Sequence, residues 1–309
     1  MNNSIQQETN ETRDWNSLFE RFIEEKQHLL GVTPRTIQSY RDAWKAFEKY
    51  GKPDVSERGV KDFMIAMSKS EMKPVSANTF ATSINSFLTW LFENDLTNKR
   101  LRVPKKKVPK RTLDTYTKDE VEKIVSFVPT LFSEKRLMAL MALLVDNGAR
   151  INEALTLERS KIDFDNGEVK LWGKGQKERT VPISPECGEI IRRWLKEHNH
   201  NIVFCAINGK KIRYDNLRGD FVDLLEKVGV EKSEGSFHAF RRYFSREYVR
   251  NGGNLFHLQQ MLGHTTLEMS RRYTKLDIDD LKKMHQSASP LANLYKLRKN
   301  GRRQTGKCP

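Results

Sequence analysis

Apolar residues in the first third of the chain recur at steps of three and four. Trp15, Leu18, Phe19, Phe22 and Ile23 fall on one helix face. Thr33-Pro34 supplies a capping hydroxyl and a first-turn proline for a second helix, whose stripe Ile37, Tyr40, Trp44, Phe47 and Tyr50 ends at Gly51. Val60, Phe63, Met64 and Met67 predict a third helix, and Phe80, Ile84, Phe87, Leu88, Leu91 and Phe92 a fourth. Because these rings follow helical spacing, they are expected in a core rather than stacked on a ligand. Residues 12–96 read as a four-helix domain.

Periodicity then stops over residues 97–113, where Pro104 and Pro109 break helix. It resumes at Thr117, which forms a capping box with Glu120 and opens a helix to about Phe127. A second apolar helix is predicted from Glu134 to Asp146, closed by Asn147-Gly148. Between 161 and 184 the pattern alternates: Ile162 and Phe164, a turn at Asp165-Asn166-Gly167, then Val169, Leu171 and Trp172, a glycine-flanked turn at Gly173-Lys174-Gly175, and Thr180 to Ile183. That is a small antiparallel sheet. Helical patterning returns at Pro185, through Ile190, Ile191, Trp194 and Leu195 and then Phe221, Leu224 and Leu225. The expected fold is mainly α: a four-helix N-terminal domain and a mostly helical second domain over 114–288, carrying one small three-stranded antiparallel sheet. A basic tail over 289–309 follows.

Charge sharpens this picture. The 309 residues hold 55 Lys and Arg against 40 Asp and Glu, a net charge of +15. Eight basic residues and no acid lie between Asn98 and Arg111, and six more with no acid between Ser289 and Pro309, so fourteen of the fifteen charges sit in two segments. The partner implied is a polyanion, nucleic acid or an acidic membrane surface. Residues 98–111 read either as a solvated hinge or as a strap along a phosphate backbone. The strap is preferred because a hinge does not explain the lack of acids; Lys105, Lys106, Lys107, Lys110 and Arg111 are its expected DNA contacts. No apolar run approaches the length of a membrane span, and Asn2 to Asp14 lacks the pattern of a signal peptide. The three cysteines, Cys187, Cys205 and Cys308, have no CxxC spacing, so neither a disulfide framework nor a zinc site is implied and a cytoplasmic setting is expected.

Candidate chemistry clusters in the second domain. Asn147-Gly148-Ala149-Arg150-Ile151-Asn152-Glu153 sets an arginine just after a glycine break, with a carboxylate one turn on. Gly173 to Arg179 holds Lys174 and Lys177 near a hairpin tip. His238 and Arg241 lie three apart on one helix face. Leu262-Gly263-His264 precedes Tyr273 by nine residues, in Ser270-Arg271-Arg272-Tyr273. In this order and spacing the set resembles the tyrosine recombinases, the phage-integrase-like site-specific recombinases, from about Thr117 to Leu276. The four-helix domain and basic linker resemble that family's core-binding domain and hinge. Phe240 and Arg242 stand where leucine and histidine are frequent in the family, and Lys275 where histidine is, but none of these is a catalytic position.

The resemblance implies a recombinase or integrase, of a phage, a mobile element or a chromosome. It would cleave and rejoin strands of double-stranded DNA at a specific recombination site through a 3′-phosphotyrosyl intermediate, with no metal, ATP or other cofactor. Tyr273 would be the nucleophile, Arg150 and Arg241 the phosphate ligands, Lys174 the acid to the leaving 5′-oxygen, His238 the proton acceptor or relay for Tyr273 and His264 a donor to the phosphate. Glu153 would orient an arginine. The residue types suit the chemistry, since a phosphotyrosyl ester conserves the bond energy and guanidinium forks match non-bridging oxygens. Lys177 remains an alternative to Lys174, and Arg150 alternatively a simple ion pair with Glu153. His198-Asn199-His200 reads as a helix end and loop rather than a nuclease motif.

Two other readings stand beside the recombinase. One is a non-enzymatic regulator with a helix-turn-helix over Leu255 to Tyr273; the other is a type IB-like topoisomerase. Strand exchange needs four protomers, and a homo-tetramer on DNA is expected. Residues 277–286, with Ile278, Leu281 and either Met284 or His285 as an apolar stripe, either reach a neighbouring protomer or pack on their own core.

Overall fold

The computed structural model describes residues 14–51, 54–109, 115–173, 178–231 and 237–264, and isolated positions beyond. The chain divides into two compact units between Arg111 and Thr112.

The first unit contains α1 (Trp15–Glu24), α2 (Pro34–Gly51), α3 (Glu57–Lys69) and α4 (Pro74–Glu93). The stripes converge on an aromatic core: Phe19 stacks on Trp44 at 4.8 Å, Phe47 meets Phe63 at 4.9 Å, and Phe87 packs edge-on to Trp44. Thr33 accepts from the Thr36 N–H at the start of α2. Phe92 departs from expectation: it lies on the last turn of α4 and is exposed. A π-helical turn over Glu25–Leu29 extends α1, and Glu25 there accepts a 2.6 Å bond from the Trp90 indole N–H.

The second unit runs α5 (Lys118–Val125), α6 (Phe132–Asn147), α7 (Ile151–Ala154), β1 (Ile162–Asp163), β2 (Glu168–Trp172), β3 (Glu178–Pro182), α8 (Pro185–Leu195), α9 (Tyr214–Lys227), α10 (Phe237–Arg250) and α11 (Leu255–Leu262). The Thr117–Glu120 capping box is formed. α6 begins two residues before the expected Glu134 because that carboxylate reaches back to the backbone N–H groups of Thr130 and Leu131, satisfying donors the first turn leaves open. With Lys227 also bonded to it, the Glu134 carboxyl is held down at about 2.

The strands form an antiparallel sheet in the order β1-β2-β3, with Val169 opposite Val181 and Leu171 opposite Arg179. Val169, Leu171 and Val181 point into the core. Trp172 falls on the other face and is exposed, with the Lys161 ammonium 5.5 Å from its ring centre. Buried Leu140, Leu144, Phe221 and Phe240 fill the centre of this unit. Among the described residues the fold is mainly helical with this one sheet, and no helix is long and apolar enough to cross a membrane.

Candidate active site

The site is built where α6 ends. Gly148 takes a left-handed conformation (φ +66°) that only glycine adopts cheaply, turning the chain so that Arg150 caps α7. The buried Asn147 side chain braces the turn by accepting from the Ala149 N–H at 3.0 Å. One turn on, Glu153 accepts from the Arg150 N–H at 2.8 Å and from its guanidinium at 2.9 Å.

The stronger partner of Glu153 is Arg179 on β3. Its two terminal nitrogens each donate to one carboxylate oxygen at 2.8 Å, and its Nε–H donates to the Met261 carbonyl at the end of α11, also at 2.8 Å. Burial opposes ionisation of Glu153, yet bonds from Arg179 and Arg150 outweigh it and hold the carboxyl below its ordinary range. Sequence reading overlooked Arg179. The signal was its register: two residues before the buried Val181, it falls on the inward face of a strand, where an arginine needs a carboxylate.

Arg241, buried on α10, donates to the Gly148 carbonyl at 2.8 Å and the Leu262 carbonyl at 2.6 Å. It therefore links the end of α6 to the end of α11. Its guanidinium also lies 3.0 Å from His264 Nε2. A guanidinium only donates, so Nε2 accepts and the neutral ring carries its proton on Nδ1. His264 is buried just past Gly263, whose φ of +61° ends α11. Desolvation, with the charges of Arg241, Arg150 and Arg179, brings its pKa down to about 4. His238, on the first turn of α10, is exposed on one side and packed against protein on the other. Desolvation there, then the charges of Arg241, Arg242 and Arg150, lowers its pKa.

Arg150, Glu153, His238, Arg241 and His264 thus gather in one cluster, with Arg179 added. Two guanidiniums pair with the Glu153 carboxylate and a third, that of Arg241, adjoins His264, while both histidines are biased to the neutral form. The surplus of positive charge suits such a site to an anion. Lys174, Lys177 and Tyr273 lie outside the described residues, as do Lys110, Arg111 and nearly all of 277–286. Elsewhere in this unit, a groove of about 690 Å³ is lined by Met138, Val145, Ile190, Phe244 and Tyr248, among others. His198 is buried after α8, where its carbonyl and that of His200 accept from Arg159. Among the described residues no group of three His, Cys, Asp or Glu is placed to hold a metal ion.

In the first unit, residues 101–109 run extended along α4. Asn85 bonds both backbone groups of Val103 (3.1 and 2.7 Å), and Asn78 both of Lys106 (2.9 and 2.8 Å). Two helical turns separate the asparagines, about 10 Å, which three extended residues also span. The zipped segment buries Val103 and leaves Lys105, Lys106 and Lys107 exposed.

Comparison with known proteins defines the class. The family model described as the phage integrase family matches residues 114–279. The chain belongs to that family, and is a tyrosine recombinase, an enzyme of site-specific DNA recombination. It is similar to the tyrosine recombinase XerA of Thermococcus kodakarensis (27% identical, covering 86% of this chain and 93% of that protein). It is also similar to XerD of Vibrio cholerae (25% identical, 89% and 97%). Among solved structures, the Tn1549 transposon integrase in complex with transposon right end DNA matches with a TM-score of 0.72 at 17% identity, covering 88% of this chain and 99% of that one. The XerH recombinase in its post-cleavage complex with difH substrate matches at 0.68, with 19% identity and 87% and 83% coverage. At these identities the structural likeness shows the fold. The regulator and topoisomerase readings are not favoured.

Proposed function

We propose that this recombinase binds one scissile phosphate of double-stranded DNA in the Arg150–Arg241 cluster and cleaves it with Tyr273. The observation that carries the reading is that one site holds both arginines with His238 and His264. The tyrosine oxygen attacks phosphorus, its proton passing to the neutral His238, while the 5′-oxygen leaves and takes a proton from Lys174. Arg150 and Arg241 hold the non-bridging oxygens as charge builds, and His264, with its proton on Nδ1, donates one further hydrogen bond. The 3′-phosphotyrosyl ester then accepts a new 5′-hydroxyl by the reverse path, so strands exchange without an outside energy source. Glu153 orients the arginines rather than touching the substrate.

DNA is also gripped by the strap, through Lys105, Lys106, Lys107, Lys110 and Arg111, which contact phosphates and carry no base information. Strand exchange requires two duplexes cut in concert, hence a homo-tetramer on DNA, with residues 277–286 passed to the neighbouring protomer and the groove over α6, α8 and α10 as the receiving surface. The enzyme would work in the cytoplasm. Truncation after Leu276 tests the exchange: a folded product that binds one site but loses cooperative binding supports it, and an unfolded product contradicts it. The chemistry is tested by Tyr273→Phe on a nicked duplex selected for binding, in EDTA. Wild type should trap a covalent complex and the variant none at equal affinity; trapping by the variant, or cleavage restored only by magnesium, overturns the assignment.

A further inference from the structure

Glu153 has about four acceptor positions, and all four are filled. Oε1 accepts from the Arg150 and Arg179 guanidiniums, at 2.9 and 2.8 Å, and Oε2 from the Arg150 backbone N–H and the second Arg179 nitrogen, both at 2.8 Å. The two arginines are therefore unequal partners. Arg179 takes the carboxylate with both prongs of its fork and is fixed at its third donor by the Met261 carbonyl, whereas Arg150 reaches it with one side-chain N–H. Arg150 is also the more open of the two, its side chain 31% exposed against 13%.

We infer that Arg179 is a positioning residue for the recombination reaction. By occupying Glu153 bidentately, it keeps the Arg150 fork off that carboxylate and available to a phosphate. The inference rests on the reading of Arg150 as a phosphate ligand. A buried carboxylate that loses one guanidinium draws in the other, because a charge left uncompensated in a desolvated site is costly. Without Arg179, Arg150 closes onto Glu153 as a fork and is withdrawn from the substrate. Arg179 itself touches no reacting atom. The same side chain ties β3 to the ends of α7 and α11. Its aliphatic stem is packed closely enough that a methyl added at Gly263 would meet it at 3.2 Å.

The test compares full-length wild type, Arg179→Ala, Glu153→Gln and the double variant, with Arg150→Ala as reference. The readouts are the single-turnover rate of covalent complex formation and DNA affinity. Arg179→Ala should lower the rate at least about tenfold, with affinity changed less than about threefold. Adding Glu153→Gln should recover much of the lost rate, because a neutral amide has no charge with which to trap Arg150. A merely structural role for Arg179 gives no such rescue, since the second substitution only removes more bonds. If Arg179→Ala does not fold, Arg179→Lys replaces it; one ammonium cannot fill both oxygens, so the same loss and the same rescue are expected. A rate within about threefold of wild type, or a double variant no faster than the single, overturns the inference. Cleavage that survives Arg150→Ala instead removes the phosphate-ligand reading on which it stands.

Discussion

Replacing Gly148 with alanine perturbs the fold and the site at one atom. The residue sits at φ +66°, where an L-residue costs about 1–2 kcal/mol. The new methyl would also lie 2.4 Å from Phe244 Cδ1 and 3.0 Å from Leu262 Cδ2, both in buried side chains, and overpacking of that kind costs about 1–3 kcal/mol. The sum is roughly 3 kcal/mol. Gly229, at φ +64° with nothing within 4 Å of a Cβ, is a matched control that incurs the backbone cost alone, about 1 kcal/mol. At about 2–4 °C per kcal/mol for a unit of this size, thermal unfolding should drop by about 2–4 °C for Gly229→Ala and by about 6–12 °C for Gly148→Ala. Because the Gly148 carbonyl anchors Arg241 and the turn aims Arg150, Gly148→Ala should also slow cleavage at temperatures where it remains folded, and Gly229→Ala should not. Equal melting losses for the two would refute the close-packing argument, and unchanged cleavage in Gly148→Ala would refute its link to the arginines.

Three further outcomes are expected. Changing Lys105, Lys106 and Lys107 to alanine should weaken DNA binding evenly across sequences and reduce the slope of log affinity against log salt by about two to three; an unchanged slope makes the segment an ordinary hinge. Asn78→Ala with Asn85→Ala removes four hydrogen bonds but no charge, so affinity should fall at constant salt slope while the Val103 and Lys106 amides exchange faster; unchanged exchange would contradict the zipped segment. His264 titrates at about 4 in the folded protein against about 6.5 unfolded, so the unfolded state binds more protons between those values. Its contribution is complete above about pH 6.5 and is lost as pH falls through 4, roughly 3 kcal/mol in all. Denaturant titrations from pH 7 to 4 should give a shallower acid loss for His264→Gln than for wild type; identical slopes would mean that the ring does not titrate there.

The helical scaffold was legible because its core residues are large and recur with the helix period; Phe19, Trp44, Phe63 and Phe87 announce it. Local pattern misleads at edges. Phe92 and Trp172 continue an apolar stripe or strand but face solvent, one on a final turn and one on the outer face of the sheet. The illegible features depend on partners far apart in sequence. The π-helical turn after α1 bonds a tryptophan 65 residues away, and the extended segment is fastened by asparagines 18 and 28 residues earlier. Arg150, His238, Arg241 and His264 were singled out by short motifs at family-like intervals, and the fold brings them together. Arg179, 26 residues from Glu153, looked like one more basic residue of a hairpin. Its register opposite the buried Leu171 is what marks it as inward-facing.

The central claim, that one tyrosine attacks DNA beside this cluster of arginines, is tested most directly by mapping the covalent complex. The full-length enzyme is trapped on a nicked duplex in EDTA, the complex is digested with protease and nuclease, and the nucleotide-bearing peptide is sequenced by mass spectrometry. The account requires a 3′-phosphate ester on Tyr273. An adduct on Tyr243 or Tyr248 of α10, on a serine, or at the 5′ end of the break would contradict it.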